Sequence, residues 1–183
     1  MNKVITLIIF ILSILFLFSC KDDNSEWAVY TSAEGGFSIK MPANPKKTEK
    51  KEITAFGKQV THFITWKPST LTIDKFKLFE VSYTDVPARF TKDSATLQLM
   101  LDSSINMRKK DFTELDINAE AINFNGYPGR AFIYFSESAT SIATVKQCIV
   151  NNKRYDVTVV TKKNYNTNNE IGNFFNSFQV LRR

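Results

Sequence analysis

The sequence predicts an α+β fold, an antiparallel β-sheet flanked by helices, and three observations carry that prediction. Most of the chain beyond residue 26 alternates apolar with polar side chains at the period of a strand. Two stretches change to the 3.6-residue period of a helix, residues 94–110 and the segment near 169–178. Arg130 to Phe135 carries apolar side chains on both faces, as a central strand covered on both sides would. The two amphipathic helices are available as covers. With 183 residues, 43% hydrophobic and 13% aromatic, the chain can bury one ordinary core. Its 23% of charged residues, with six Gly and five Pro, exclude disorder, collagen and coiled coil as the main description. Two Cys and one His exclude a disulfide-stapled mini-domain and speak against structural zinc.

The first element is a leader. Lys3 supplies a positive charge, and Val4 to Phe18 is apolar apart from Thr6 and Ser13. As a helix those residues span about 22 Å, short of the roughly 30 Å hydrocarbon core, so a signal-peptide core fits better than a membrane span. Leu17-Phe18-Ser19-Cys20 then resembles the lipobox of bacterial lipoproteins. The resemblance implies that signal peptidase reads Leu17 and the small Ser19 and cuts before Cys20. The Cys20 thiol would take a diacylglycerol thioether and its freed amine a further acyl chain such as palmitate. Each buried CH₂ adds about 0.8 kcal/mol, so two or three chains hold firmly. The expected organisation is a signal peptide at 1–19, a lipidated tether at 20–26 and one α+β domain at 27–183. Losing Lys3 with the leader lowers the net charge from +6 to +5. Lys21-Asp22-Asp23 resembles the surface-export signal of Bacteroidetes lipoproteins, and a solvated polar tether is the alternative.

The strands follow in order. Trp27 to Thr31 is a short first strand, Gly35-Gly36 turns the chain, and Phe37, Ile39 and Met41 alternate with Ser38 and Lys40. Pro42 and Pro45 end that strand, because neither donates to a ladder. Thr48 to Ala55 is a polar edge strand whose lysines guard against stray pairing. A turn at Phe56-Gly57-Lys58 leads into Gln59 to Lys67, with Val60, His62, Ile64 and Trp66 on one face. Lys75 to Thr84 sets Phe79, Val81 and Tyr83 opposite Phe76 and Leu78. Asp93 caps a helix from Ser94 to Lys110, whose stripe is Leu97, Met100, Leu101 and Ile105 and whose last turn holds Arg108, Lys109 and Lys110. Strands resume at Glu114 to Phe124, Gly129 to Ser136, Ser141 to Val150 and Lys153 to Val160, the last two joined by Asn151-Asn152. A closing helix starts near Asn168 or Asn169 and aligns Ile171, Phe174, Phe175 and Phe178.

Three segments carry a wider resemblance. Gly36-Phe37-Ser38-Ile39-Lys40-Met41-Pro42, Asn125-Gly126-Tyr127-Pro128-Gly129-Arg130 and Phe174-Phe175-Asn176-Ser177-Phe178 are similar to the opening strand, the turn before a central strand and the closing helix of the Mog1/PsbP-like superfamily. The resemblance implies an α/β/α sandwich acting as a binding or assembly module. It implies no catalytic residue, cofactor or metal site.

The chemistry-bearing residues read quietly. His62 lies between Val60 and Ile64 on its strand face, which suits a partly buried, hydrogen-bonded imidazole better than a catalytic base. No nucleophile elbow accompanies it. With Cys20 consumed by lipid, Cys148 has no disulfide partner and reads as a buried small hydrophobe. Glu114, Asp116, Asn118 and Glu120 alternate on one strand face, which could touch a cation but reads more simply as solvated, and they form no calcium loop. The run Lys46-Lys47-Thr48-Glu49-Lys50-Lys51-Glu52 is diluted by glutamates and lacks aromatic platforms, so nucleic acid is not an expected partner. It could lean on anionic headgroups or acidic glycans, though a solvated edge explains it more simply. Asp93-Ser94-Ala95 is similar to a Bacteroidetes O-glycosylation sequon, and helix capping accounts for it more economically. The expectation is a non-enzymatic lipoprotein, held at the outer membrane on its periplasmic face or at the cell surface, with an envelope protein as partner. A small-molecule or lipid ligand, bound between sheet and helix by some of the many Phe, is the alternative.

Overall fold

A computed structural model describes residues 26–54, 57–68, 76–111, 118–135, 140–164 and 169–181. The segment expected to be a leader, with the lipobox-like Leu17, Ser19 and Cys20, and Lys21, Asp22 and Asp23 lie outside them, as do Glu114, Asp116 and the side chains of Lys77, residues 107–111 and Asn118. Two antiparallel sheets form. The small one has the order β1 (Trp27–Ser32), β2 (Phe37–Pro42), β10 (Gln179–Val180). The large one runs β3 (Lys46–Thr54), β4 (Gly57–Trp66), β5 (Phe76–Asp85), β9 (Lys153–Lys162), β8 (Ser141–Val150), β7 (Tyr127–Phe135), β6 (Asn118–Phe124). The helices are α1 (Ser94–Asp111) and α2 (Asn169–Asn176). The fold is α+β and mostly sheet.

Alternation decides which side chains enter the core. Phe79, Val81 and Tyr83 of β5 pair with Val159, Val157 and Tyr155 of β9, so all six share one face. That face packs against Phe37, Ile39 and Met41 of β2 and against Ile171, Phe174, Phe175 and Phe178 of the closing segment. The opposite face meets α1, where Leu101 and Ile105 pack over Ile149, Val145 and Phe132. Asp93 caps α1 as expected: its Oδ1 accepts from the Thr96 backbone N–H and its Oδ2 from the Thr96 hydroxyl, both at 2.8 Å. Asn125-Gly126 and Asn151-Asn152 each take positive φ at both positions, the geometry of a two-residue hairpin turn that matches strand twist.

Five expectations are corrected. The first two strands leave the large sheet and form the small one, so a sheet as well as a helix covers the main core. Arg130 to Phe135 lies in β7, second from the edge, while β9 is central. Phe132 and Tyr134 of β7 lie on the α1 side, whereas Ile133 on the other face remains 42% exposed. A bulge between Phe76 and Leu78 inserts one residue, which turns Phe76 onto the face of Phe79. Gly57 pairs with Thr54 and so begins β4, not the turn. Phe178 lies beyond the end of α2, buried in the approach to β10, which at two residues is too short to show a period.

Candidate functional site

The three segments behind the family resemblance meet in space. Asn125, at the β6–β7 turn, donates its side-chain N–H to the carbonyls of Phe175 and Phe178 at 3.1 and 2.7 Å. Lys40 of β2 donates its backbone N–H to Ser177 Oγ at 2.9 Å, and Phe37 lies 5.8 Å from Phe178 between ring centroids. Gly129 sits so close to β8 that an added Cβ would stand 2.2 Å from the Gln147 carbonyl oxygen. These contacts bind the elements together.

His62 sits where β4 faces the β1–β2 turn. Its ring stacks on Tyr83 at 4.7 Å and its side chain is 26% exposed. Glu34 Oε1 stands 3.8 Å from Nε2 and Glu49 Oε2 3.9 Å from Nδ1, too far for hydrogen bonds but close enough for attraction when the ring is charged. The expected partial burial is present; the contacts are a ring stack and two flanking carboxylates. Burial, and then the charge of Glu34, push the Tyr83 hydroxyl up. The Tyr30 hydroxyl, which faces the same region, is the one buried side-chain polar atom among the described residues without a hydrogen-bond partner.

Cys148 is fully buried, and burial followed by the charge of Asp156 pushes its thiol up to about 12. A thiol so protonated is no nucleophile near neutral pH. Strands β5 and β9 separate β4 from β8, so three strand spacings of about 4.8 Å each keep Cys148 from His62. The two do not form a relay.

Sequence reasoning missed a polar chain under α1. The Ser104 hydroxyl donates to Gln147 Oε1 at 2.8 Å, and Gln147 Nε2 donates to Asp156 Oδ1 at 2.6 Å. Gln147 is wholly buried and Asp156 is 3% exposed, while Arg154 Nε stands 3.9 Å from Asp156 Oδ2. Arg130 Nε donates to Asp102 Oδ1 at 2.7 Å at the margin of the helix. The Asn151-Asn152 turn could have shown that Gln147 faces Asp156 across the hairpin, since a two-residue loop fixes the register. That both are buried depends on where α1 lands.

The most accessible chemistry is on β3. Its residues are exposed throughout except Thr54, which is half-buried. Lys50 pairs with Glu52, and Lys51 Nζ lies 2.7 Å from Glu49 Oε1. That contact lowers the Glu49 carboxyl and raises the Lys51 ammonium. Lys47 Nζ reaches over the Tyr30 ring at 6.0 Å from its centroid. Among the described residues, no group of three or more His, Cys, Asp or Glu is arranged to hold a metal ion, and no helix is long and apolar enough to cross a membrane.

No protein-family model matches the chain, and no curated protein matches it. Among solved structures it is similar to the solution structure of cyanobacterial PsbP (CyanoP) from Synechocystis sp. PCC 6803. The two are 14% identical over 90% of this chain and 98% of that one, with a TM-score of 0.49.

Proposed function

We propose that the chain is a bacterial envelope lipoprotein, anchored by acyl chains on Cys20, whose Mog1/PsbP-like α+β domain serves as a non-catalytic interaction or assembly module. One observation carries the reading: Leu17, Ser19 and Cys20 fall in lipobox register directly after an apolar segment too short to span a bilayer. The interior of the domain is in keeping with it, since His62 and Cys148 are apart and the buried polar chain lies beneath a helix. Cys20→Ser is expected to abolish incorporation of labelled fatty acid and to move the protein from the membrane to the soluble fraction. Unchanged partition and labelling would refute the anchor. Cross-linking in intact envelopes, followed by mass spectrometry, should recover a defined protein partner.

A ligand-binding lipoprotein is the alternative. It needs Phe side chains to spare, whereas Phe37, Phe79, Phe124, Phe174 and Phe178 close on one another or on neighbouring rings at 5–6 Å between centroids. Native mass spectrometry of detergent-free protein separates the two readings, because a reproducible bound ligand favours the second.

A further inference from the structure

We propose that the β3 edge is a docking surface for an anionic phospholipid bilayer, with Lys46, Lys47, Lys50 and Lys51 on the headgroups and Ile53 entering the interface. The inference rests on the Cys20 anchor to bring the domain to a membrane, and it adds which side of the domain faces that membrane.

Three observations combine. First, β3 is an outer strand of the large sheet and holds four exposed lysines against two glutamates. Lys50 and Lys51 are engaged with Glu52 and Glu49, but exposed pairs of this kind hold weakly and exchange readily for phosphate. Secondly, Ile53 is 92% exposed, the highest value among the exposed large apolar side chains of the described residues. It pairs with Lys58, one step from the Thr54–Gly57 pair that ends the β3–β4 ladder. An isoleucine left in water at the tip of a basic hairpin gains nothing there, and at a headgroup boundary it would be buried.

Thirdly, the topology sets the tether and the tip at opposite ends of one edge. Trp27, the first residue of β1, lies 5.1 Å from the Phe79 ring, and Phe79 pairs with Trp66 of β4. Thr65, next to Trp66, pairs with Lys46. The chain therefore enters at the Lys46 end, and Lys47 over Tyr30 shows β1 running beside β3. Ile53 stands seven residues further along β3, roughly 24 Å away. Extended, the tether from Cys20 to Glu26 reaches roughly 20 Å. A domain lying on this edge is then held at both ends, by acyl chains at one and Ile53 at the other. The anchor raises the effective concentration of the edge at the surface, so weak contacts suffice.

The test uses the full chain as processed by its host, reconstituted into vesicles. Thr54→Cys takes an environment-sensitive dye beside Ile53; Cys148 is fully buried and the Cys20 sulfur would be in a thioether, so the dye goes to the tip. On vesicles of phosphatidylcholine with phosphatidylglycerol, the dye emission should shift to the blue and yield to a lipid-borne quencher; on phosphatidylcholine alone it should report water. Ile53→Ser should lower the ratio of docked to free tip about tenfold. Replacing Lys50 and Lys51 by Gln should lower it about fivefold per charge. Unchanged thermal unfolding shows that the variants remain folded. A chain that floats with vesicles while its dye reports water on both lipids overturns the docking surface alone, as does a ratio indifferent to Ile53→Ser. A chain that does not float overturns the anchor and the orientation with it. A response to soluble acidic polysaccharide but not to vesicles assigns the edge to glycans and overturns the lipid reading.

Discussion

Gln147 and Asp156 place an amide and a carboxyl where strand interiors usually carry hydrocarbon, and their value lies in satisfying each other. Asp156→Ala leaves the Gln147 N–H without its acceptor in a site that water does not reach. Such a loss costs about 1–3 kcal/mol, whereas Asp156→Asn keeps an acceptor oxygen and should cost less. Urea unfolding of the two variants measures this, and equal losses would show that the hydrogen bond is not what Asp156 contributes. Next to it, Cys148 makes stability depend on alkaline pH. Its native thiol is pushed up to about 12, while an unfolded thiol titrates near its ordinary value of about 8.5. Between those values the unfolded chain gives up a proton that the native state retains. The contribution is therefore complete below about pH 8.5 and is lost as pH rises towards about 12. Denaturation midpoints should fall across that window, and Cys148→Ala should flatten the fall. A residual slope of the same sign is expected from Tyr83, whose hydroxyl is also raised. A Cys148→Ala profile parallel to that of the parent would rule the thiol out as the cause.

At the scale of the element, β3 shows how an open edge stays open. Two copies pairing antiparallel about a two-fold axis bring residues of like face opposite each other. Centred on Glu49, that pairing sets Glu49 against itself and Lys47 against Lys51; centred on Lys50, it sets Lys50 against itself. Each like-charge pair opposes the dimer. In the second register, however, Glu49 meets Lys51 on both sides, so Lys50 is the one obstacle at the centre. Lys50→Val should therefore raise self-association above that of the parent, read by sedimentation velocity over a concentration series; identical profiles would show that the lysine is not the guard. The reading of β3 as a polar edge came from residue type alone, and it was legible because exposure of a strand leaves its charges undisguised. The other strands except the two-residue β10, and both helices, were legible for the same local reason, since period and turn residues are written in consecutive positions. Partner choice was not. Nothing local to Trp27–Pro42 shows that β1 and β2 pair with the two-residue β10, and the two apolar faces of β7 fit a central strand as well as one beside the edge. The bulge at Phe76 reverses a face with no Gly or Pro to mark it. Of the candidate sites, the proposed lipobox rests on a linear pattern of residue types and needs no fold to be recognised, whereas the Ser104–Gln147–Asp156 chain exists only once α1 has docked.

At the scale of the whole molecule, the described residues pack two cores of unequal weight, one on each side of the large sheet, and this predicts how it opens. The larger core is shared by the large sheet, the small sheet and the closing segment, and β9 at the centre contributes Tyr155, Val157 and Val159 to it. On the other side α1 is held by two small groups, Ile105 with Phe132 and Val145, and Leu101 with Val86 and Ile149, together with the hydrogen bonds of Ser104 and Asp102. Detaching α1 leaves the larger core intact and exposes Gln147 and Asp156, which water can solvate. Amides of α1 should therefore exchange through an opening of lower free energy than those of β9, which wait for global unfolding. Two substitutions separate this opening from mere fraying. Ile39→Val weakens the larger core, which is present both in the native state and after α1 has left. It should lower the exchange free energy of β9 by about 1 kcal/mol and leave that of α1 unchanged. Leu101→Ala weakens only the fully native state, so it should lower both by the same amount, about 2–5 kcal/mol. If Ile39→Val lowered α1 and β9 together, α1 would open only with the whole fold, and the two faces of the sheet would form one cooperative unit.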